Sequence, residues 1–334
     1  MAFLLRHIRL IASAFALVLV TIVVSPASAQ HINPTADSVK EEQLLNELKS
    51  IAGECSLPDQ KSCTLEQPRG RDWRFYYQVP LRLIGGLAIL GMIGLVVVFY
   101  LVRGSVRIEK GRSGRVMVRF SIFERLVHWM ATVSFIILAL SGLNITFGKE
   151  LILPLVGPDA FAAISRWGKY AHNYLSFPFT ISVVLIFLMW IGWNMPSRVD
   201  IQWMKEGGGF GKKHPPADLF NAGQKSIYWV VVLGGGLVAA TGYVLMFPFY
   251  GTGIVGMQVA QLVHGIVALL YVAAMVFHIY MGTVGEEGAF EGMWDGTVDE
   301  NWAKQHHSIW YEREISKGNV PAPPPAEGKI QPAE

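Results

Sequence analysis

The chain has 334 residues, of which 52% are hydrophobic and only 16% charged, with ten Trp and a net charge of +3. Soluble domains average about 25% charged residues. A water-soluble enzyme, a disordered chain and a basic nucleic-acid binder are therefore excluded, and the chain should be integral to a membrane.

The first 29 residues read as a secretory signal. Arg6, His7 and Arg9 precede an apolar stretch from Leu10 to Val24, and Ala27 and Ala29 fit a small-residue cleavage site. An uncleaved anchor is the alternative. Residues 30–80 form an exported, periplasmic extension that mixes both charge signs. Within it, Val39, Leu44, Leu45, Leu48 and Ile51 recur at helical spacing between Asp37 and Ala52. It also holds the two cysteines, Cys55 and Cys63. In an oxidising compartment a disulfide closing the short loop is the plain expectation, and two cysteines are too few for a four-ligand zinc or iron–sulfur site.

Five apolar segments follow, at about 81–102, 124–147, 170–193, 226–248 and 258–283, each long enough for a ~30 Å hydrocarbon core. The connection from Arg103 to Arg125 carries Arg103, Arg107, Lys110, Arg112, Arg115, Arg119 and Arg125 against Glu109 and Glu124. The positive-inside rule makes it cytoplasmic. Alternation then places the 148–169 loop outside, the 194–225 loop inside, the 249–257 turn outside and the 291–334 tail inside. The Pro- and Ala-rich end from Pro321 to Glu334 should be disordered.

Four of the nine histidines lie in apolar spans: His128, His172, His264 and His278. Ionisable side chains are costly there and mark functional sites. His264 and His278 are fourteen residues apart, roughly 21 Å along one helix and nearly on one face. On the topology above, His128 matches the depth of His278 near the cytoplasmic side, and His172 matches His264 near the outer side. Two imidazoles at one depth on neighbouring helices suit the two faces of a b-type haem iron, leaving it no open position, so that one-electron transfer is its remaining chemistry. For any one of them alone, an ordinary hydrogen-bonded interior histidine is the competing reading. Gly142, Gly234, Gly235, Gly236 and Gly242 leave room for a flat macrocycle or simply for close helix packing. His7, His31, His214, His306 and His307 read as solvated. The chain has no CxxCH, cysteine cluster or phosphate loop, so it depends on partner subunits for electrons.

At these residues the sequence resembles the cytochrome b (gamma) subunit of membrane-bound respiratory formate dehydrogenase. The resemblance rests on RFSIFERLVHWMATVSFIILALSGL around His128, YAHNYLS around His172, FNAGQKSIYW, LVHGIVALLYVAAMVFHIYMG, and EGMWDGTVDENWAKQHHSIWYE, and it covers about 115–315. It implies a four-helix dihaem bundle over 115–290, so the chain reads as an all-α integral membrane protein with that bundle and, from hydropathy, one extra N-terminal transmembrane helix at 81–102. It further implies two haem b groups, the inner on His128 and His278 and the outer on His172 and His264. A quinone pocket would involve Asn221 and Gly223, although Asn221 serves equally well as a helix N-cap. The partners implied are an iron–sulfur (beta) subunit and a molybdenum or tungsten catalytic (alpha) subunit, in the bacterial inner membrane. Formate would be oxidised outside and quinone reduced at the cytoplasmic face. A dihaem cytochrome b of a Ni–Fe hydrogenase or another molybdenum oxidoreductase, a His-using transporter, and a cofactor-free membrane anchor are the alternatives. The first 110 residues go beyond the compact four-helix form and take no role from the resemblance.

Overall fold

The computed structural model describes residues 69–208, 213–248, 250–319 and 321–322. The signal, the Asp37–Ala52 pattern, both cysteines and nearly all of the Pro/Ala-rich end lie outside these residues.

Five helices long and apolar enough to cross a membrane account for most of the described chain: α1 (Gly70–Arg103), α2 (Ile122–Leu151), α3 (Leu153–Trp190), a fourth at Ala222–Met246 and a fifth at Ile254–Gly285. The short helix α4 (Arg198–Lys205) precedes the fourth span, which is α5, and the fifth is α6. Beyond α6 come α7 (Ala289–Trp294), α8 (Glu300–His306) and α9 (Ser308–Ser316). A two-stranded antiparallel ribbon pairs β1 (Val116–Val118) with β2 (Thr297–Asp299), placing Met117 opposite Val298. The protein is an all-α integral membrane protein apart from this ribbon and isolated bridges.

Local chemistry explains several helix features. Pro80 lacks the N–H that an α-helix would use, and α1 opens there into a wider π turn over Tyr77–Leu81. Ser121 and Glu124 form a reciprocal capping box that starts α2. The 148–169 region, read from sequence as a loop, is instead largely helical. Only Gly157, at φ 78°, breaks α3, a conformation open to glycine, and Pro158 restarts the helix. The first span likewise begins at Gly70 rather than near residue 81.

Side-chain contacts give the packing order. Ser141 on α2 meets His172 on α3, Tyr228 and Tyr243 on α5 bond to Phe187 O and Thr180 on α3, and Gly234 on α5 faces Tyr271 on α6. Phe135 on α2 meets Tyr271 with ring centres 5.3 Å apart, closing the four-helix ring. α1 lies outside this ring and runs parallel to α6: Leu81 sits against Gly265, Gly85 against Leu269, and Phe99 against Tyr280. On the α2 side Arg82 pairs with Glu150 and lies over the Phe147 ring, and the rest of the outer face of α1 is bare. Leu101 and Val102 are 77% and 83% exposed, and Leu83, Leu87, Leu90 and Val98 are also exposed, an apolar surface that suits lipid.

The ribbon end of the bundle carries a second core, built from Phe120, Val127, Trp190, Phe220, Val298, Trp302 and Trp310. It corrects the expectation for His307, which is 0% exposed rather than solvated. His307 Nδ1 donates to Asp218 O at 2.6 Å, so Nε2 is left to accept from Arg119 Nη2 at 3.1 Å. Arg119 also donates to Leu219 O and lies over the Trp302 ring, 4.7 Å from its centre. Burial pulls the Arg119 guanidinium down to about 9, while Glu286 opposes the fall. His214 pairs with Glu109, 3.0 Å away, and His306 packs at a tilt against Trp302, ring centres 5.4 Å apart. Pro321 and Ala322, the first residues of the expected disordered end, are held by Arg115 and Val116.

Two outcomes test this architecture. Gly85→Leu has no room against Leu269, so it should lower the thermal midpoint in detergent, with overpacking costing roughly 1–3 kcal/mol. Gly91→Leu, which faces open space, should leave the midpoint unchanged or higher. His307 is held well below its ordinary value by burial, then by Arg119, so below about pH 6.5 the unfolded chain binds a proton that the folded chain does not. Stability of the ribbon end should therefore fall as pH drops through that value. Proteolysis of the 291–322 segment at pH 7.5 and pH 5 (~neutral and ~acid) checks it, and equal resistance would refute it.

Candidate functional site

α6 contributes two imidazoles, His264 and His278, and each meets one partner from the first half of the bundle. His128 on α2 lies opposite His278 with ring centroids 6.3 Å apart and planes at 64°. His172 on α3 lies opposite His264 at 6.2 Å and 65°. The four histidines singled out from the sequence are thus brought together two by two, in nearly the same geometry at both levels. A direct N–H···N bond between two rings would bring their centres to about 5 Å. A shared metal, with metal–nitrogen bonds of ~2.0 Å on each side, would separate them by roughly 6.2 Å. The observed spacing fits the second arrangement.

The hydrogen bonds at the His172–His264 level select the tautomer that such ligation needs. His264 Nδ1 lies 3.0 Å from Val238 O and 3.1 Å from Thr241 Oγ1. A carbonyl only accepts, so Nδ1 carries the proton and Nε2 keeps its lone pair. His172 Nδ1 lies 2.9 Å from Ser141 Oγ, whose own proton goes to Ile137 O at 2.7 Å. The serine therefore accepts, and His172 is fixed in the same form. Neither Nε2 makes a hydrogen bond among the described residues.

The His128–His278 level differs. His128 Nδ1 is buried without a partner, and His278 makes no side-chain hydrogen bond among the described residues. Trp129 packs edge-on against His128 and donates to Met293 O at 2.8 Å, which ties this level to α7.

The glycines divide by role. A Cβ on Gly142 would sit 3.5 Å from His172 Cε1, and one on Gly242 would sit 3.3 Å from His264 Cε1, so both leave clearance beside the paired imidazoles. Gly234 and Gly235 instead receive Tyr271, Val183 and Phe179 and serve helix packing, while Gly236 faces open space. Tyr271, seven residues from each α6 histidine, packs with Phe135, Phe179, Val183 and Met275 between the two levels.

Asn221 is the N-cap of α5. Its Oδ1 accepts from Gln224 N at 2.9 Å, and its own N donates to Gln224 Oε1 at 3.1 Å. The capping alternative is thus realised, while Asn221 Nδ2 takes no partner among the described residues. Gly223 lies against Trp203 of α4. Sequence reasoning passed over Arg119, which also reaches Gln224 Oε1, at 3.4 Å, and so joins this cap to His307. The only sequence signal was an arginine immediately ahead of an apolar span, and loop topology accounted for it.

The chain is 28% identical over 216 residues to the nitrate-inducible formate dehydrogenase cytochrome b556(Fdn) subunit of Escherichia coli K12, covering 62% of this chain and 95% of that protein. It is 27% identical over 206 residues to the cytochrome b556(fdo) subunit of formate dehydrogenase from the same organism, covering 60% and 94%. To the formate dehydrogenase cytochrome b556 subunit of Haemophilus influenzae it is 25% identical over 216 residues, covering 63% and 87%. The resemblance seen in the sequence motifs therefore holds. The profile of the prokaryotic cytochrome b561 family matches residues 119–296, a stretch that contains all four paired histidines and Asn221 and leaves out α1, and with that match over more than half its length the chain belongs to the prokaryotic cytochrome b561 family.

Proposed function

We propose that this chain is the membrane cytochrome b subunit of a formate dehydrogenase, carrying electrons through two haem b sites to a quinone. The observation that carries the reading is the pair of imidazole couples at metal-spanning separation inside the family-matched segment. His172 and His264 would hold one haem, and His128 and His278 the other. Held by an imidazole from each side, the bound groups would supply one-electron transfer and nothing that binds substrate.

The chain's own residues do the rest. The bundle excludes water from both levels and fixes the imidazoles of the His172–His264 level. α6 spaces its two ligands by fourteen residues, roughly 21 Å. At the ribbon end, the free amide of Asn221 and the backbone beside Gly223 offer hydrogen bonds to a quinone carbonyl at the water boundary. By the positive-inside rule the basic Arg103–Arg125 connection supports a cytoplasmic ribbon end, with the His172–His264 level near the outer face. The chain then lies in a bacterial inner membrane, with its N-terminus periplasmic after signal cleavage and its C-terminus cytoplasmic. Electrons would enter outside from an iron–sulfur subunit served by a molybdenum or tungsten catalytic subunit, and leave inside on the quinone. Each charge crossing is worth ~2.3 kcal/mol per 100 mV of potential.

A pyridine haemochrome count on the purified complex should give two b haems per copy of this chain, both reducible by formate. Absence of haem would overturn the reading, and two haems indifferent to formate would assign the chain to another oxidoreductase. His278→Ala should leave one haem that formate still reduces, with quinone reduction abolished. Asn221→Ser keeps a good N-cap and removes the carboxamide, so stability should persist while quinone turnover falls roughly tenfold, a loss worth about 1.4 kcal/mol. Wild-type turnover in that variant would confine Asn221 to capping.

A further inference from the structure

The two imidazole levels hold their ligands differently. At the His172–His264 level both Nδ1–H groups are engaged, one by Ser141 Oγ and the other by Val238 O and Thr241 Oγ1. At the His128–His278 level neither ring makes a side-chain hydrogen bond among the described residues, and His128 Nδ1 is buried, where bulk water does not reach it.

A hydrogen bond accepted from the distal ring nitrogen raises the basicity of the ligating nitrogen. A more basic ligand donates more charge to iron and favours the ferric over the ferrous state, so it lowers the reduction potential; an imidazole without that bond does the reverse. We infer that Ser141, Val238 and Thr241 are positioning residues that set the haem at His172–His264 to a lower potential than the haem at His128–His278, giving one-electron transfer a downhill direction from the first level to the second. In that transfer one iron goes from ferrous to ferric and the other from ferric to ferrous, with no proton moved and no bond broken. The inference rests on the two-haem reading above.

Lys169 works against it. One turn ahead of His172 on α3, it lies within electrostatic reach of both rings at this level, and a nearby cation favours the ferrous state. Among the described residues it makes no hydrogen bond to either ring, whereas the three acceptors act directly on the rings, so the hydrogen bonds set the order.

The test is potentiometric titration of the full chain in its complex, followed optically, with His278→Ala used to assign the wave that remains to the His172–His264 level. In the wild type that wave should be the lower of the two. Ser141→Ala removes the acceptor of His172, and Ser141→Ala combined with Thr241→Val weakens both bonds while Val238 O remains. Each should shift the electron-sharing equilibrium between the levels toward the His172–His264 haem, by up to tenfold in the double variant, which is about 59 mV for one electron. The wave of the other level should stay in place. If Ser141→Ala loses haem, Ser141→Thr, which keeps a hydroxyl acceptor, should restore both the haem and the low potential. Two haems with an unmoved wave in the variants, or a wild-type order in which the His172–His264 haem is the higher, would overturn the inference alone. Fewer than two haems in the wild type would overturn the two-haem reading and this inference with it.

Discussion

A helix in hydrocarbon satisfies its own backbone, but an imidazole it carries must find a partner on another helix, because neither lipid nor water will supply one. α6 carries two such rings, and the arrangement of its neighbours follows from them. α2 and α3 bring one facing ring each, and α5 brings Val238 O and Thr241 to hold His264. The glycines on α2 and α5 then read as clearance around those rings, since a Cβ at Gly242 would crowd His264 and one at Gly142 would touch His172. The rest of the core, with Tyr271 and its aromatic neighbours, fills the space between the two levels.

The ribbon end obeys a different rule. It is polar in sequence yet dense in structure, because a cation at the edge of the bundle is held by acceptors rather than by a facing carboxylate. Arg119 spends its donors on Leu219 O, Gln224 and His307, with aromatic faces of Trp302 and Phe120 around it. Through Gln224 the same network reaches the cap of α5, so residues separated by nearly two hundred positions share one set of hydrogen bonds.

What could be read from sequence follows from the range of each signal. Span number and approximate limits were legible because hydropathy over twenty residues is a local property. The pairing of His128 with His278, and of His172 with His264, was legible because charge in the loops orders the spans and depth then matches the rings. The helical 153–169 stretch was not, since its charged residues resemble a loop and only Gly157 interrupts it. The burial of His307 was not legible either. It depends on contacts with Asp218 and Arg119, 89 and 188 residues away, and no periodicity in WAKQHHSIWYE announces them. Asn221 remained double in sequence because an N-cap and a ligand amide ask for the same residue type, and the structure shows that its Oδ1 and its N–H serve the cap while its amide nitrogen is not used by it.

The notches by which α1 holds α6 bear on the order of biosynthesis. The first of the described spans packs chiefly against the last, with Leu81 and Gly85 waiting for Gly265 and Leu269, some 180 residues further along the chain. Throughout translation of α2, α3 and α5, α1 lacks this main partner and has only its Arg82 contacts with α2, and its largely apolar surface equips it to wait in lipid. Closure of the ring and docking of α1 therefore become one late event, and a ribosome that stops short of α6 leaves behind a bundle with neither the helix that carries His264 and His278 nor its outermost span in place.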